Sequence, residues 1–83
     1  MAVSDYAYVY EEKRGQKAKG SIYEPWPFSP NLLVVDVCFE LEDVLGYWFP
    51  RCLVDCTGRV LRNNEKLQAG EYYRLVPLTR RYF

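Results

Sequence analysis

The chain contains no histidine in 83 residues. That absence removes the imidazole general base, the Ser-His and Cys-His nucleophile pairs, and the commonest metal ligand. No aliphatic run is longer than Leu32 to Val35, far short of a membrane-spanning helix. The opening MAVSDYAYVYEEKRG lacks the basic and apolar regions of a secretory signal, and Met1-Ala2 is not the Met-Gly start of an N-myristoylated chain. Net charge is absent too: 11 basic residues balance 11 acidic ones, so no global field points to nucleic acid or to a membrane. Cysteine is sparse and odd in number. Cys38, Cys52 and Cys56 cannot all pair, which fits a reducing, intracellular compartment, cytoplasmic or nuclear. With no histidine they supply at most three soft ligands, so no metal or other cofactor is expected. If Cys52 and Cys56 share a strand, both pack inward as small hydrophobes.

What is present is apolar and aromatic. Hydrophobic residues make up 49% and aromatics 17%, with eight Tyr and two Trp. A chain of this length is a single domain, residues 1–83. It buries only about 60–65% of its unfolded surface, so it needs that dense core. Tyr6, Tyr8 and Tyr10 alternate with Ala7 and Val9 and predict a strand. Residues 11–20 are charged and include Gly15 and Gly20, reading as a solvated hairpin tip with a basic cluster of Lys13, Arg14, Lys17 and Lys19. A second strand is expected from Ser21 to Trp26, ended or held at an edge by Pro25, Pro27 and Pro30.

Residues 31–49 fit two periods. As a helix, Ser29 is the N-cap and Pro30 the first helical residue. Val34, Val37, Cys38, Leu41, Val44, Leu45 and Trp48 form the buried stripe, Asp36, Glu40 and Asp43 lie opposite, and Gly46 terminates. As a strand, Leu33, Val35, Val37, Phe39 and Leu41 alternate with Asp36, Cys38, Glu40 and Glu42. The helical reading explains more of the flanking chemistry; the strand reading leads to a small all-β barrel with residues 32–42 as a strand. Beyond Pro50, Arg51 to Cys56 reads as a strand, Thr57-Gly58 as a turn, and Arg59 to Arg62 as a short strand. Asn63-Asn64-Glu65 is a second turn, Leu67 an isolated apolar anchor, and Glu71 to Leu78 a last strand. That last strand is apolar on both faces and so belongs in the middle of its sheet.

The order hairpin, helix, strand, short strand, strand resembles ubiquitin and its relatives. The resemblance implies an α+β β-grasp fold, one helix on a mixed sheet of four or five strands. Within that group, residues 41–78 resemble the plant PADRE domain of stress-response proteins. The matching residues are Leu67, Gly70 and Tyr72, followed by Leu75, Pro77 and Leu78. A conjugated modifier is not expected, because the chain ends Thr79-Arg80-Arg81-Tyr82-Phe83 rather than in Gly-Gly.

Charge distribution points to a binding surface. Residues 31–50 carry Asp36, Glu40, Glu42 and Asp43 and no base. Residues 51–83 carry seven bases, Arg51, Arg59, Arg62, Lys66, Arg74, Arg80 and Arg81, against Asp55, Glu65 and Glu71. A non-catalytic protein-interaction module follows, self-associating as acidic surface meets basic surface, as in the PB1-like domains that this pattern resembles. The alternative is pairing of those charges within one chain. A different function, single-stranded nucleic-acid binding, draws on Arg59, Arg62, Arg74, Arg80 and Arg81 interleaved with Tyr72, Tyr73, Tyr82 and Phe83. A third, peptide recognition, draws on aromatic clusters around Trp26–Phe28 and Tyr47–Phe49 with the hairpin edge adding a strand to a partner. The expected partner-binding residues are thus Arg59, Arg62, Arg74, Arg80, Arg81, Tyr82, Asp36, Glu40, Asp43 and Trp26; no small-molecule substrate is implied.

Overall fold

A computed structural model describes residues 5–12, 14–46 and 51–77, the side chain of Pro77 excepted. The first strand, β1 (Ala7–Glu11), turns Ala7 and Val9 fully inward and leaves Tyr8 and Tyr10 on the other face. It pairs antiparallel with β2 (Trp26–Phe28) and parallel with the last strand, β4 (Tyr72–Pro77). The remaining strand, β3 (Arg51–Val54), pairs antiparallel with β4, so the sheet order is β2-β1-β4-β3. The one helix among the described residues, α1 (Val34–Leu45), lies in the chain between β2 and β3. The described chain is therefore α+β, with one helix and a mixed four-stranded sheet. The strand reading of residues 32–42, and the all-β barrel with it, is overturned. As its two-faced apolarity predicted, β4 is central.

The helix begins four residues later than Ser29 and Pro30 suggest. Its N-cap position is Leu33, in extended geometry and with no side-chain cap. Helix starts need partners for their first N–H groups, and here those partners are backbone carbonyls from far along the chain. Val34 N–H donates to Glu65 O at 2.9 Å and Val35 N–H to Asn63 O at 3.2 Å. Asn31, at a φ of 74°, redirects the chain into this contact, and Leu67 N–H donates to Leu32 O at 3.0 Å. A hydroxyl cap at Ser29 is thus unnecessary. The far end follows the sequence reading: Gly46 is left-handed at a φ of 70°, and its N–H donates to Glu42 O.

The second strand differs from expectation for a related reason. Residues 21–24 lie in turns, and β2 starts at Trp26, where the predicted strand ended. Pro27 sits in its middle, opposite Tyr8. Tyr8 N–H donates to Glu71 O, on the β4 side of β1. The polar groups of its partner, Pro27, therefore point away from β1, where a missing N–H costs no ladder bond.

Residues 59–62 form no strand of their own. Val60 bridges Val54 in isolation, and Leu61 N–H donates to Leu53 O at 2.9 Å before the chain turns toward α1. Between helix and sheet, Val34, Val37, Leu41, Leu53 and Leu67 are at most 1% exposed. Burying one such aliphatic side chain contributes about 1.5–3 kcal/mol. No described helix is long and apolar enough to cross a membrane.

Candidate interaction surfaces

Helical periodicity sets the first surface. With Val34, Val37 and Leu41 turned into the core, Asp36, Glu40 and Asp43 are all exposed on the outside of α1. The structure brings these three predicted residues together. Phe39 and Val44 stand among them, each 63% exposed. Val44 is a correction, since the sequence reading put it in the buried stripe. Val44 and Leu45 are adjacent and cannot both face inward; Leu45 packs against the core instead. Among the described residues, no ion pair involves Asp36, Glu40 or Asp43. The described bases therefore leave this face unneutralised.

The predicted basic residues are dispersed. Arg59 lies in the β3–β4 connection, where both terminal nitrogens grip Glu65 at 2.9 and 3.0 Å. Its Nε lies 3.5 Å from Asp55. Asp55 Oδ1 in turn accepts hydrogen bonds from the Thr57 hydroxyl at 2.6 Å and from the Thr57 and Arg59 N–H groups. The Thr57 hydroxyl, followed by those N–H groups, holds the Asp55 carboxyl below its ordinary range, and Arg59 does the same for Glu65. Arg59 is thus an architectural cation, with Arg62 and Lys66 exposed beside it. A mixed-charge cleft of about 260 Å³ runs between Arg59, Lys66, Glu71 and Tyr73. Tyr73, one of its lining residues, accepts through its hydroxyl oxygen from Gln68 N–H at 3.0 Å. Arg80, Arg81 and Tyr82 lie outside the described residues, as do Tyr47 to Phe49.

Arg74 sits elsewhere, on the sheet face turned away from α1. It is paired with Glu12 at 3.5 Å and stands next to Tyr10 in register. On the same face Tyr8 stacks on Tyr72, ring centres 5.0 Å apart, and Tyr72 is 46% exposed. Pro27 flanks Tyr8 from β2. This row of rings is a second surface.

Trp26, expected to bind a partner, is a core residue at 6% exposure. The Arg14 guanidinium covers its ring at 5.3 Å. Arg14 Nε also donates to Lys19 O at 2.9 Å and lies 3.6 Å from Glu11. Ser21, 1% exposed, donates through its hydroxyl to Gln16 O and accepts from Glu24 N–H. The predicted solvated tip is therefore a wired loop, from which Lys17, Lys19, Ile22 and Tyr23 project. Ile22 and Tyr23 were expected within a strand; their exposure, 52% and 69%, follows from the turns that replace it.

Neither sheet edge is open to strand addition along its length. Pro27 leaves the middle of β2 without an outward donor, and Leu61 occupies the Leu53 carbonyl of β3. The thiols have unlike settings. Burial, with the nearby Cys52 and Glu42 adding to it, pushes Cys38 up to about 11, and burial also raises Cys52. Cys56 is exposed, because β3 ends at Val54 and the inward packing expected of it does not occur. No group of three or more potential metal ligands is found among the described residues. Comparison of the chain with protein families, with curated proteins and with solved structures finds no match.

Proposed function

We propose that the chain is a non-catalytic protein-interaction module with a ubiquitin-like β-grasp fold, and that it docks through the outer face of α1. The strand order β2-β1-β4-β3, with its parallel central pair and the helix between β2 and β3, supports the fold assignment. The function rests on one observation: Asp36, Glu40 and Asp43 are exposed and unpaired among the described residues, with Phe39 and Val44 open beside them. Exposed apolar groups rimmed by charge of one sign fit a basic partner with an apolar contact at its centre. The free thiols suit an intracellular setting. The test is affinity capture with the wild type, with Phe39→Ser/Glu40→Lys and with Arg62→Glu/Lys66→Glu. A partner lost only with the α1 variant supports the reading; identical captured sets for all three proteins sink it.

The row of rings on the opposite face favours a second reading, single-stranded nucleic-acid binding. Tyr8 and Tyr72 offer stacking faces beside the Arg74 cation. A fluorescence-anisotropy titration with single-stranded RNA decides it. Binding that weakens with salt and with Tyr72→Ala supports this mode, and no binding at low salt removes it.

A further inference from the structure

We propose that the occupant of the outer α1 face is the β1–β2 loop of a second copy of this chain. The inference rests on the reading of α1 as a docking face and names its partner. The two surfaces match in chemistry. The helix offers three carboxylates, Asp36, Glu40 and Asp43, around Phe39 and Val44. The loop carries the ammonium groups of Lys17 and Lys19 together with the side chains of Ile22 and Tyr23, all four exposed. Like the helix acids, neither lysine has an ion-pair partner among the described residues.

Arg51 is half-buried on β3, and the other described bases are less suited to this role as well. Arg59 is held by Glu65 and Asp55, Arg74 by Glu12, and Arg14 by Trp26 and the Lys19 carbonyl. Arg62 and Lys66 are exposed, but the only large exposed apolar neighbour in their stretch is Val60, at 39%. The loop also carries its contact groups on a fixed frame. Ser21 ties Gln16 to Glu24, Gly20 is bonded to Glu11 and Glu24, and Arg14 closes the turn onto Trp26. A preorganised loop loses less conformational freedom when it docks. Zero net charge means that copies do not repel one another as they approach. Two lysines and two apolar side chains make a small contact, so the association is weak and sensitive to salt.

Sedimentation equilibrium over a wide concentration range, in about 0.01 M and about 1 M salt, tests this directly, since the screening length falls from about 30 Å to about 3 Å. The loop variant is Lys17→Gln/Lys19→Gln/Tyr23→Ser and the helix variant is Phe39→Ser/Glu40→Gln/Asp43→Asn. All six positions are exposed, and circular dichroism checks that both variants fold. The expected result is a wild-type mass that rises with concentration at low salt, falls back at high salt, and stays monomeric in each variant alone. An equimolar mixture of the two variants then regains a dimer, because one supplies an intact helix face and the other an intact loop. The inference is overturned by a wild type that stays monomeric at low salt, by variants that associate like the wild type, or by a mixture that stays monomeric. If the wild type is monomeric yet the α1 variant still loses a captured partner, self-association fails while the interaction reading stands.

Discussion

The two long polar connections of this chain, β1 to β2 and β3 to β4, look alike in composition but handle charge differently. Each contains a Gly turn, several bases and one arginine fixed in place. In the first, Arg14 lies over the buried ring of Trp26, so its cation is part of the packing. In the second, Arg59 sits in solvent, 59% exposed, and holds Glu65 and Asp55 in an open network. Planar, multi-donor arginine suits both tasks, and Lys17, Lys19 and Lys66 are left over at the surface. Counting charge along the sequence therefore misplaces the available cations. The bases nominated for binding include Arg59 and Arg74, both already paired, whereas Lys17 and Lys19 are exposed and unpaired among the described residues.

The comparison predicts unequal sensitivity, with the first loop fragile and the second tolerant. Gly20→Ala carries the largest expected effect. Gly20 holds a φ of 94°, and a Cβ there would fall within the Trp26 ring system, which is buried and has little room to retreat. Backbone strain and overpacking together cost about 2–5 kcal/mol. Urea unfolding should show a lowered midpoint with an unchanged slope. A midpoint equal to that of the wild type would mean that the loop does not pack on Trp26. Arg14→Ala comes next. It removes a ring contact and a hydrogen bond to Lys19 O at a partly exposed site, for a loss of about 1 kcal/mol by the same measurement.

How much of this was legible depends on the range of the interaction that decides each element. Gly46 ends α1 through a bond to Glu42, four residues away, and the local sequence announces it. The start of α1 depends on Asn63 and Glu65, with the rest of α1 and β3 between them in the chain, so Ser29-Pro30 offered a local signal that nothing in the fold used. The place of β2 depends on the register of Pro27 against Tyr8, which no reading of the proline run alone supplies. The central position of β4 was legible because its outward positions include Tyr72 and Val76 as well as the buried Tyr73 and Leu75 of its inner face. At the candidate site, the acidic face of α1 was readable from the 3.6-residue period. Phe39 and Val44 were missed: Phe39 was read only within the strand alternative, and Val44 competes with Leu45 for one side of the helix.

The tolerant loop has its own signature, in its response to acid. Asp55 and Glu65 both titrate below their ordinary values of 3.8 and 4.5 when folded, Asp55 chiefly through the Thr57 hydroxyl and Glu65 chiefly through Arg59. A carboxyl with a depressed folded value adds stability above its unfolded value and loses that addition as pH falls through the folded one. The contribution of this network is therefore complete at neutral pH, starts to decline near pH 4.5 and is gone once pH has passed below the folded values. Unfolding midpoints measured from pH 7 downward should fall less steeply in Asp55→Asn/Glu65→Gln than in the wild type, with the two curves converging at the acid end. Arg59→Ala should give the smallest effect of the set, because its partners are solvated and the pair is screened by salt. At about 1 M salt its midpoint should approach that of the wild type, whereas Gly20→Ala keeps its full deficit, since steric overlap is not screened. A salt-resistant loss in Arg59→Ala would show that this arginine is packed as Arg14 is, and the contrast between the two loops would then collapse.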